Sequence, residues 1–336
     1  PGGLAPAIDA FGPDALRAWA ASLGETTTVG SSGRVFPGGF RATPLLRAWL
    51  RRLDELGVER RVRHRWEGWD GGGALRFTDA SGSRVVVPAD ATVLALGGAS
   101  WPRVGSDGAW VPVLQAAGVD VSPLRPANCG FTVAWTSTFR DRFAGTPVKN
   151  VALSFDGHAT RGDAMVTRHG IEGGPVYALA APLRDALESG AATVLMVDLL
   201  PDRSTEELAS RLRRGRRRDS ASTALGRVGI SQVGVGLLRE VTGNALPSEP
   251  DELAALAKSV PVPVVAPQPL ARAISTAGGI ALDEVDDDLM LRRRPGTFVA
   301  GEMLDWEAPT GGYLLQATFS TAVAAARGAV AWLAVG

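Results

Sequence analysis

Cysteine is almost absent from this 336-residue chain: Cys129 stands alone. An intramolecular disulfide and any Cys-rich zinc or iron–sulfur centre are therefore excluded. Histidine is nearly as scarce, and His64, His158 and His169 form no HxH or HxxxH spacing. That argues against a metal centre built on imidazoles. Among the 35 basic residues only Lys149 and Lys258 are lysines, a skew that reads as coding bias and carries no function. Charge of one sign is also missing, because 35 Lys+Arg meet 35 Asp+Glu. A protein that coats nucleic acid or an anionic membrane needs a cationic surplus. No uninterrupted apolar run reaches the ~18 residues of a membrane span, and the opening Pro-Gly-Gly residues do not read as a secretory signal. The expectation is a cytoplasmic protein with neither a nucleic-acid nor a membrane partner. Oligomeric state stays open.

What the chain does have is core-forming material. Hydrophobic residues make up 45% and charged residues 21%, which excludes wholesale disorder. At roughly 150 residues per domain the length suggests two domains. Pro13–Leu23 and Thr43–Leu56 carry apolar residues at helical spacing. In the second, Thr43 is placed to cap the helix, Pro44 to open it and Gly57 to end it. Val58–His64, Ala74–Thr78 and Arg84–Val87 read as a small antiparallel meander between glycine-rich turns. Ala91–Leu96 is apolar throughout and ends in Gly97-Gly98, the pattern of a strand buried on both faces of a parallel sheet. Ser106–Gly118 reads as a helix.

From 126 to about 201 the pattern is strand-rich, with one helix near Pro175–Glu188. From Ser204 to Ser259 it is helical, and Ser204 with Glu207 forms a capping-box signature. The proline-dense Pro261–Pro269 closes this middle region. Strand signals return at Gly279–Leu282 and Thr297–Ala300, and a last helix runs from about Gly312 to Leu333. The expected fold class is α/β. Residues 1–125 and 271–336 form a Rossmann-like domain, 126–203 and 260–270 an inserted β-rich domain, and 204–259 a helical subdomain. Such an insertion is a common plan for two-part enzymes.

Two segments carry most of the chemistry. In TFVAGEMLDWEAPTGGYLLQATF, Thr297–Phe319, a strand ends at Gly301-Glu302, and Gly311-Gly312-Tyr313 opens a long helix. Glycines there let backbone approach a ligand. The helix start offers unpaired N–H groups, from Gly312 to Leu314, and a positive dipole end to an anion. Glu302 is placed to accept hydrogen bonds from ribityl or ribose hydroxyls. In ATVLALGGASWPRVGSDG, Ala91–Gly108, a strand is followed by Gly97, Gly98, Ser100 and Gly105. Ligands of open α/β sheets bind at such strand ends. Either segment alone also suits a plain strand–loop–helix turn with packing glycines.

Taken with AISTAGGIALDEV, which contains Gly278 and Gly279, with GSSGRVFP at Gly30–Pro37 and with RPANCGF at Arg125–Phe131, the two segments resemble the bacterial YhiN-like flavoproteins. That group includes aminoacetone-oxidase-like and 3-dehydro-bile-acid reductase-like enzymes. The resemblance runs the whole length. It implies an FAD-binding, two-dinucleotide-fold domain with inserted β-rich and helical parts. It implies FAD contacts at Gly97, Gly98, Ser100, Gly105, Gly278, Gly279, Gly301, Glu302, Gly311, Gly312, Tyr313 and Leu314. The activity implied is hydride transfer through flavin between NAD(P)H, as reductant, and an unidentified small organic substrate or O₂. No side chain stands out as the catalytic acid.

Two departures qualify it. The family opens with a strand, a GxGxxG turn and an acidic residue that holds the adenosine ribose, and no such turn occurs in the first 90 residues here. The expectation is that ~65 to 70 residues of the family's first stretch are missing through truncation, and that the sheet lacks a strand near its centre. A non-catalytic remnant is then the alternative function. Many relatives also carry Asn where this chain has Leu314, a change that a backbone contact would tolerate.

The remaining features have blander readings. LRRGRRRD at Leu212–Asp219 reads as a solvated linker; a flavin-dependent RNA-modifying enzyme is the rival, without the interleaved aromatics of a stacking platform. Asp286-Asp287-Asp288 reads as a polar turn, lacking the alternation of a Ca²⁺ loop. Cys129 reads as a small buried residue. His158 and His169 are candidates for acid–base work in the insert without local support. Tyr313 suits either substrate contact or packing.

Overall fold

The apolar runs after Ala91 and Thr297 form two short strands, Thr92–Leu94 and Thr297–Val299, paired in parallel across about 200 residues of chain. The computed structural model that shows this describes residues 2–31, 33–215 and 220–335. The chain divides into two units, Pro1–Arg125 with Thr276–Gly336, and Pro126–Ser275. Each has its own apolar core.

In the discontinuous unit, Phe298 and Val299 are fully buried. The partner strand is not buried on both faces as expected: Leu94 is inside, but Val93 is 42% exposed. The reason is that the parallel sheet has two strands among the described residues. The C-terminal helix Tyr313–Val335 packs on this pair through a stripe of Ala317, Thr321, Ala325, Gly328 and Ala329. Small residues at i, i+4 spacing let the helix backbone come close. This helix is long and apolar enough, by length and composition, to cross a membrane; Gln316, Ser320 and Arg327 interrupt its apolar character. Ser320 Oγ and Gln316 Nε2 both donate to the Phe11 carbonyl, at 2.7 and 2.8 Å. They secure a short helix, Ala5–Ala10, that the sequence pattern did not disclose.

Several expectations move. The helix predicted from Thr43 runs Ala42–Glu55, with Arg41 at the N-cap and no side-chain cap, so Thr43 lies inside it. Gly57 ends it as expected, in the left-handed region. Val58–His64 is not a strand. Arg63 takes a positive φ of 58°, which breaks the run, and the meander begins at Arg65–Trp69, followed by Leu75–Thr78 and Arg84–Val87. The helix predicted over Ser106–Gly118 shrinks to Val111–Ala116.

The inserted unit is built on one seven-stranded sheet. Pro147–Phe155 and His158–Val166 form its central hairpin. Thr193–Asp198 pairs with the first of these, and Val260–Val264 pairs with Thr193–Asp198 at one edge. On the other side come Gly170–Glu172, Phe131–Thr132 and Ala266–Pro267. Only Val265 separates the two edge strands in sequence, and consecutive Cα atoms are about 3.8 Å apart. The sheet must therefore curl until its first and last strands adjoin. The expected helix Pro175–Glu188 is two, Gly174–Ala178 and Ala180–Glu188.

Residues 204–259 supply the helices Thr205–Arg213, Ala221–Arg227, Gln232–Val241 and Pro250–Lys258. Ser204, Ser220 and Ser231 cap the first three, each accepting a backbone N–H three residues on. These helices share one core with the sheet: Leu208, Leu225 and Leu238 pack in the same cluster as Leu153 and Leu195. Leu153→Ala, at a fully buried position of the central hairpin, should cost about 2–5 kcal/mol in urea unfolding. Val330→Ala, on the exposed face of the C-terminal helix, should change it by less than about 0.5 kcal/mol.

Candidate cofactor site

The parallel pair brings two chain reversals to one place. After Leu94 the chain turns at Gly97 and Gly98; after Val299 it enters the turn Gly301–Met303. The strand Ser275–Ile280 is the third wall. Glu302 joins all three segments. Its Oε2 accepts the Gly98 N–H at 3.1 Å and its Oε1 accepts the Thr276 N–H at 2.8 Å. Thr276 Oγ1 in turn accepts the Ala99 N–H at 2.9 Å. Only glycine suits position 98, because a Cβ there would collide with the Thr276 hydroxyl and lie 2.9 Å from Glu302 Oε2.

Neighbouring bonds stiffen the place. The Leu96 N–H points at Met303 Sδ (3.2 Å), Trp110 Nε1 donates to the Gly97 carbonyl (2.9 Å), and the Gly301 N–H donates to Thr321 Oγ1 (3.0 Å). Trp306 Nε1 donates to the Gly301 carbonyl at 2.9 Å. Burial pushes the Glu302 carboxyl above the usual carboxylate value, while the N–H bonds from Thr276 and Gly98 pull it down.

The residues singled out from the sequence do not all gather here. Gly97, Gly98, Gly301 and Glu302 do. Gly278 and Gly279 lie in the third wall, but the space beside them is filled by the carbonyls of Pro123 and of Met303 and Leu304; the structure gives them a packing role. Gly105 sits at the exposed tip of the turn Trp101–Ser106. Gly311, Gly312 and Tyr313 are exposed on the approach to the C-terminal helix, and Leu314 is half-buried. That helix begins at Tyr313. Glu302 is not free to serve ligand hydroxyls alone, since each oxygen already holds a backbone N–H; one further lone pair on each remains.

Ser100 is the most informative of the set. It is 1% exposed, and its hydroxyl is buried without a hydrogen-bond partner. Ser106 Oγ, in the same turn, is buried and unpartnered too. Unmet buried hydroxyls are costly, so two in one glycine-rich turn suit a place that receives polar atoms of a bound group. Sequence reasoning missed Thr276, Ser106 and Thr321. The one available signal for Thr276 was its place two residues before the Gly278-Gly279 pair.

Other singled-out residues lie elsewhere. Asp286 Oδ1 accepts the N–H groups of Asp288 and Met290, a self-capped turn. Cys129 is fully buried in the insert's core. In the arginine run, Arg213 pairs with Asp251, and the preceding Arg211 pairs with Glu207; Arg216 to Asp219 lie outside the described residues. His158 is exposed at a hairpin end, and His169 lines a cavity of the insert.

Parallel strands ending in glycine turns beneath the C-terminal helix, with a second unit inserted between them in sequence, define a Rossmann-like α/β protein. The chain belongs to the HI0933-like Rossmann-domain family, whose model matches residues 2–328. It is similar to the 3-dehydro-bile acid delta(4,6)-reductase of Clostridium scindens, 26% identical over 257 residues, which cover 72% of this chain and 62% of that enzyme. The chain thus spans less than two thirds of this relative's length. Among solved structures it is similar to the open conformation of a flavocytochrome c3 fumarate reductase, at 15% identity and a TM-score of 0.46, over 94% of this chain and 62% of that one.

Glu302→Ala would leave the Gly98 and Thr276 N–H groups without their acceptor and should cost about 1–3 kcal/mol for each donor left buried, read by chemical unfolding. Glu302→Gln tests the titration. A folded pKa raised above the unfolded one means that the group's contribution to stability is fully present below the unfolded value and is lost as pH rises through the folded one. The Gln variant should therefore show a flatter stability profile from the ordinary carboxylate range toward neutrality.

Proposed function

We propose that this chain serves an FAD-dependent oxidoreductase, with NAD(P)H as reductant and a small organic molecule or O₂ as acceptor. The observation that carries this reading is the pair of unpartnered buried hydroxyls, Ser100 and Ser106, beside the Glu302 junction. Family membership and the similarity to a reductase support it. Flavin, when bound, supplies two-electron hydride chemistry. The chain's own part is to bind and orient. Ser100 and Ser106 offer hydroxyls, Gly98 lets Thr276 and Glu302 close against the turn, and the N–H groups from Gly312 to Leu314 offer donors to an anionic edge. Glu302 keeps the turn after Leu94 in register with the turn after Val299.

The test is the visible absorbance of the purified chain together with its flavin affinity. Ser100→Ala should leave apo-protein melting unchanged or raise it, since an unmet hydroxyl disappears, and should weaken flavin binding about fivefold, one hydrogen bond's worth. Unchanged flavin affinity in that variant would remove the Ser100 turn from the site. A second reading, a non-catalytic relative of these enzymes, draws on the two-stranded parallel pair with its exposed Val93. It predicts a folded chain that takes up no flavin when titrated with excess FAD.

A further inference from the structure

The inserted unit contains a cavity of about 460 Å³, within the size range of small-molecule sites. Four segments of the unit build it. Arg140 comes from the helix Ser137–Phe143, and Arg168 with His169 from the turn between His158–Val166 and Gly170–Glu172. Gln268 follows the edge strand Ala266–Pro267, and Arg272 ends the short turn Leu270–Arg272. Trp135 supplies an apolar wall.

Three arginines, Arg140, Arg168 and Arg272, line this space, and the first two share the carboxylate of Asp141. It lies 3.3 Å from Arg140 and 4.0 Å from Arg168. Arg272 has no ion-pair partner among the described residues. His169 adds an imidazole, which always carries at least one N–H. The lining is therefore cationic in a chain whose total charge is zero.

Hydrogen bonds tie together the frame around these groups. The His169 carbonyl accepts the Val133 N–H at 3.0 Å, and Thr167 Oγ1 accepts the His169 and Gly170 N–H groups at 3.3 and 3.1 Å. Gln268 is buried, its N–H donating to the Gly130 carbonyl (2.8 Å) and its Nε2 to Thr132 Oγ1 (3.0 Å). Trp135 cannot swing away, because its Nε1 donates to the Gly170 carbonyl at 3.1 Å and its ring packs 4.8 Å from that of Phe139.

We propose that this cavity binds a small amphipathic organic anion, an apolar ring bearing a carboxylate or a phosphate. The ring lies against Trp135, and the oxyanion lies among Arg140, Arg168 and Arg272. Guanidinium forks match both oxyanions in geometry, and an aromatic wall beside them selects an apolar body over a bare ion. The site lies wholly within residues 126–275, so it stands or falls independently of the flavin reading.

Calorimetric titration of the full chain with 2-naphthoate and with 2-naphthyl phosphate tests it, with neutral 2-naphthol as control. Both anions should bind, the tighter one identifying the oxyanion preferred, and naphthol should bind at least tenfold more weakly. Arg168→Gln and Arg272→Gln, both at exposed side chains, should each weaken the anions about tenfold with melting unchanged. The proposal is overturned if neither anion binds, if naphthol binds as well as naphthoate, or if the double variant binds them undiminished. It is equally overturned if a single-stranded oligonucleotide binds where neither naphthyl anion does.

Discussion

One carboxylate sets the geometry of the discontinuous unit. Glu302 reaches backbone donors on two other segments, 204 residues away at Gly98 and 26 away at Thr276. Backbone N–H groups at strand ends have lost their ladder partners and must find acceptors when buried. Here one side chain serves two of them, and the Thr276 hydroxyl serves a third at Ala99. What is proposed for the cofactor turn depends on this junction, because it ties the turn that follows Thr92–Leu94 to both other walls.

The sequence was readable where a local rule settles the outcome. Ser204, read as a cap, accepts the Glu207 N–H, Gly57 ended its helix, and two short apolar runs followed by glycines became parallel partners despite their separation. It was unreadable where tertiary partners decide. Arg63 in the left-handed region displaced a strand by several residues, and nothing in its type announces that. Val93 looked like a core residue and is exposed because burial depends on how many strands lie alongside. In the site, glycines advertised themselves by type alone. Gly98 answers to a close approach, whereas Gly278 and Gly279 answer to the chain's own carbonyls. Thr276 went unseen because a threonine in a strand carries no signal until its hydroxyl has a partner.

The insert shows the complementary case. Its helices and its sheet differ in periodicity and looked separable, yet Leu208, Leu225 and Leu238 fill the same core as Leu153. Pattern reveals the kind of element, and only packing reveals which elements share an interior. Its cationic cavity was equally hidden, since Arg140, Arg168 and Arg272 are scattered over more than 130 residues and meet only when the sheet curls.

That curling fixes an order of events during synthesis. The sheet closes only when 260–267 has been made, since this one segment supplies both edge strands. The helices of 204–259 therefore emerge before the sheet they pack on can shut. The insert then has all its residues by Ser275, while Thr92–Leu94 still waits for Thr297–Val299. Domains generally fold as units during synthesis, so the insert is free to finish first. Its completion shortens the effective loop that the parallel pair must close, from about two hundred flexible residues to the distance between the ends of a folded body.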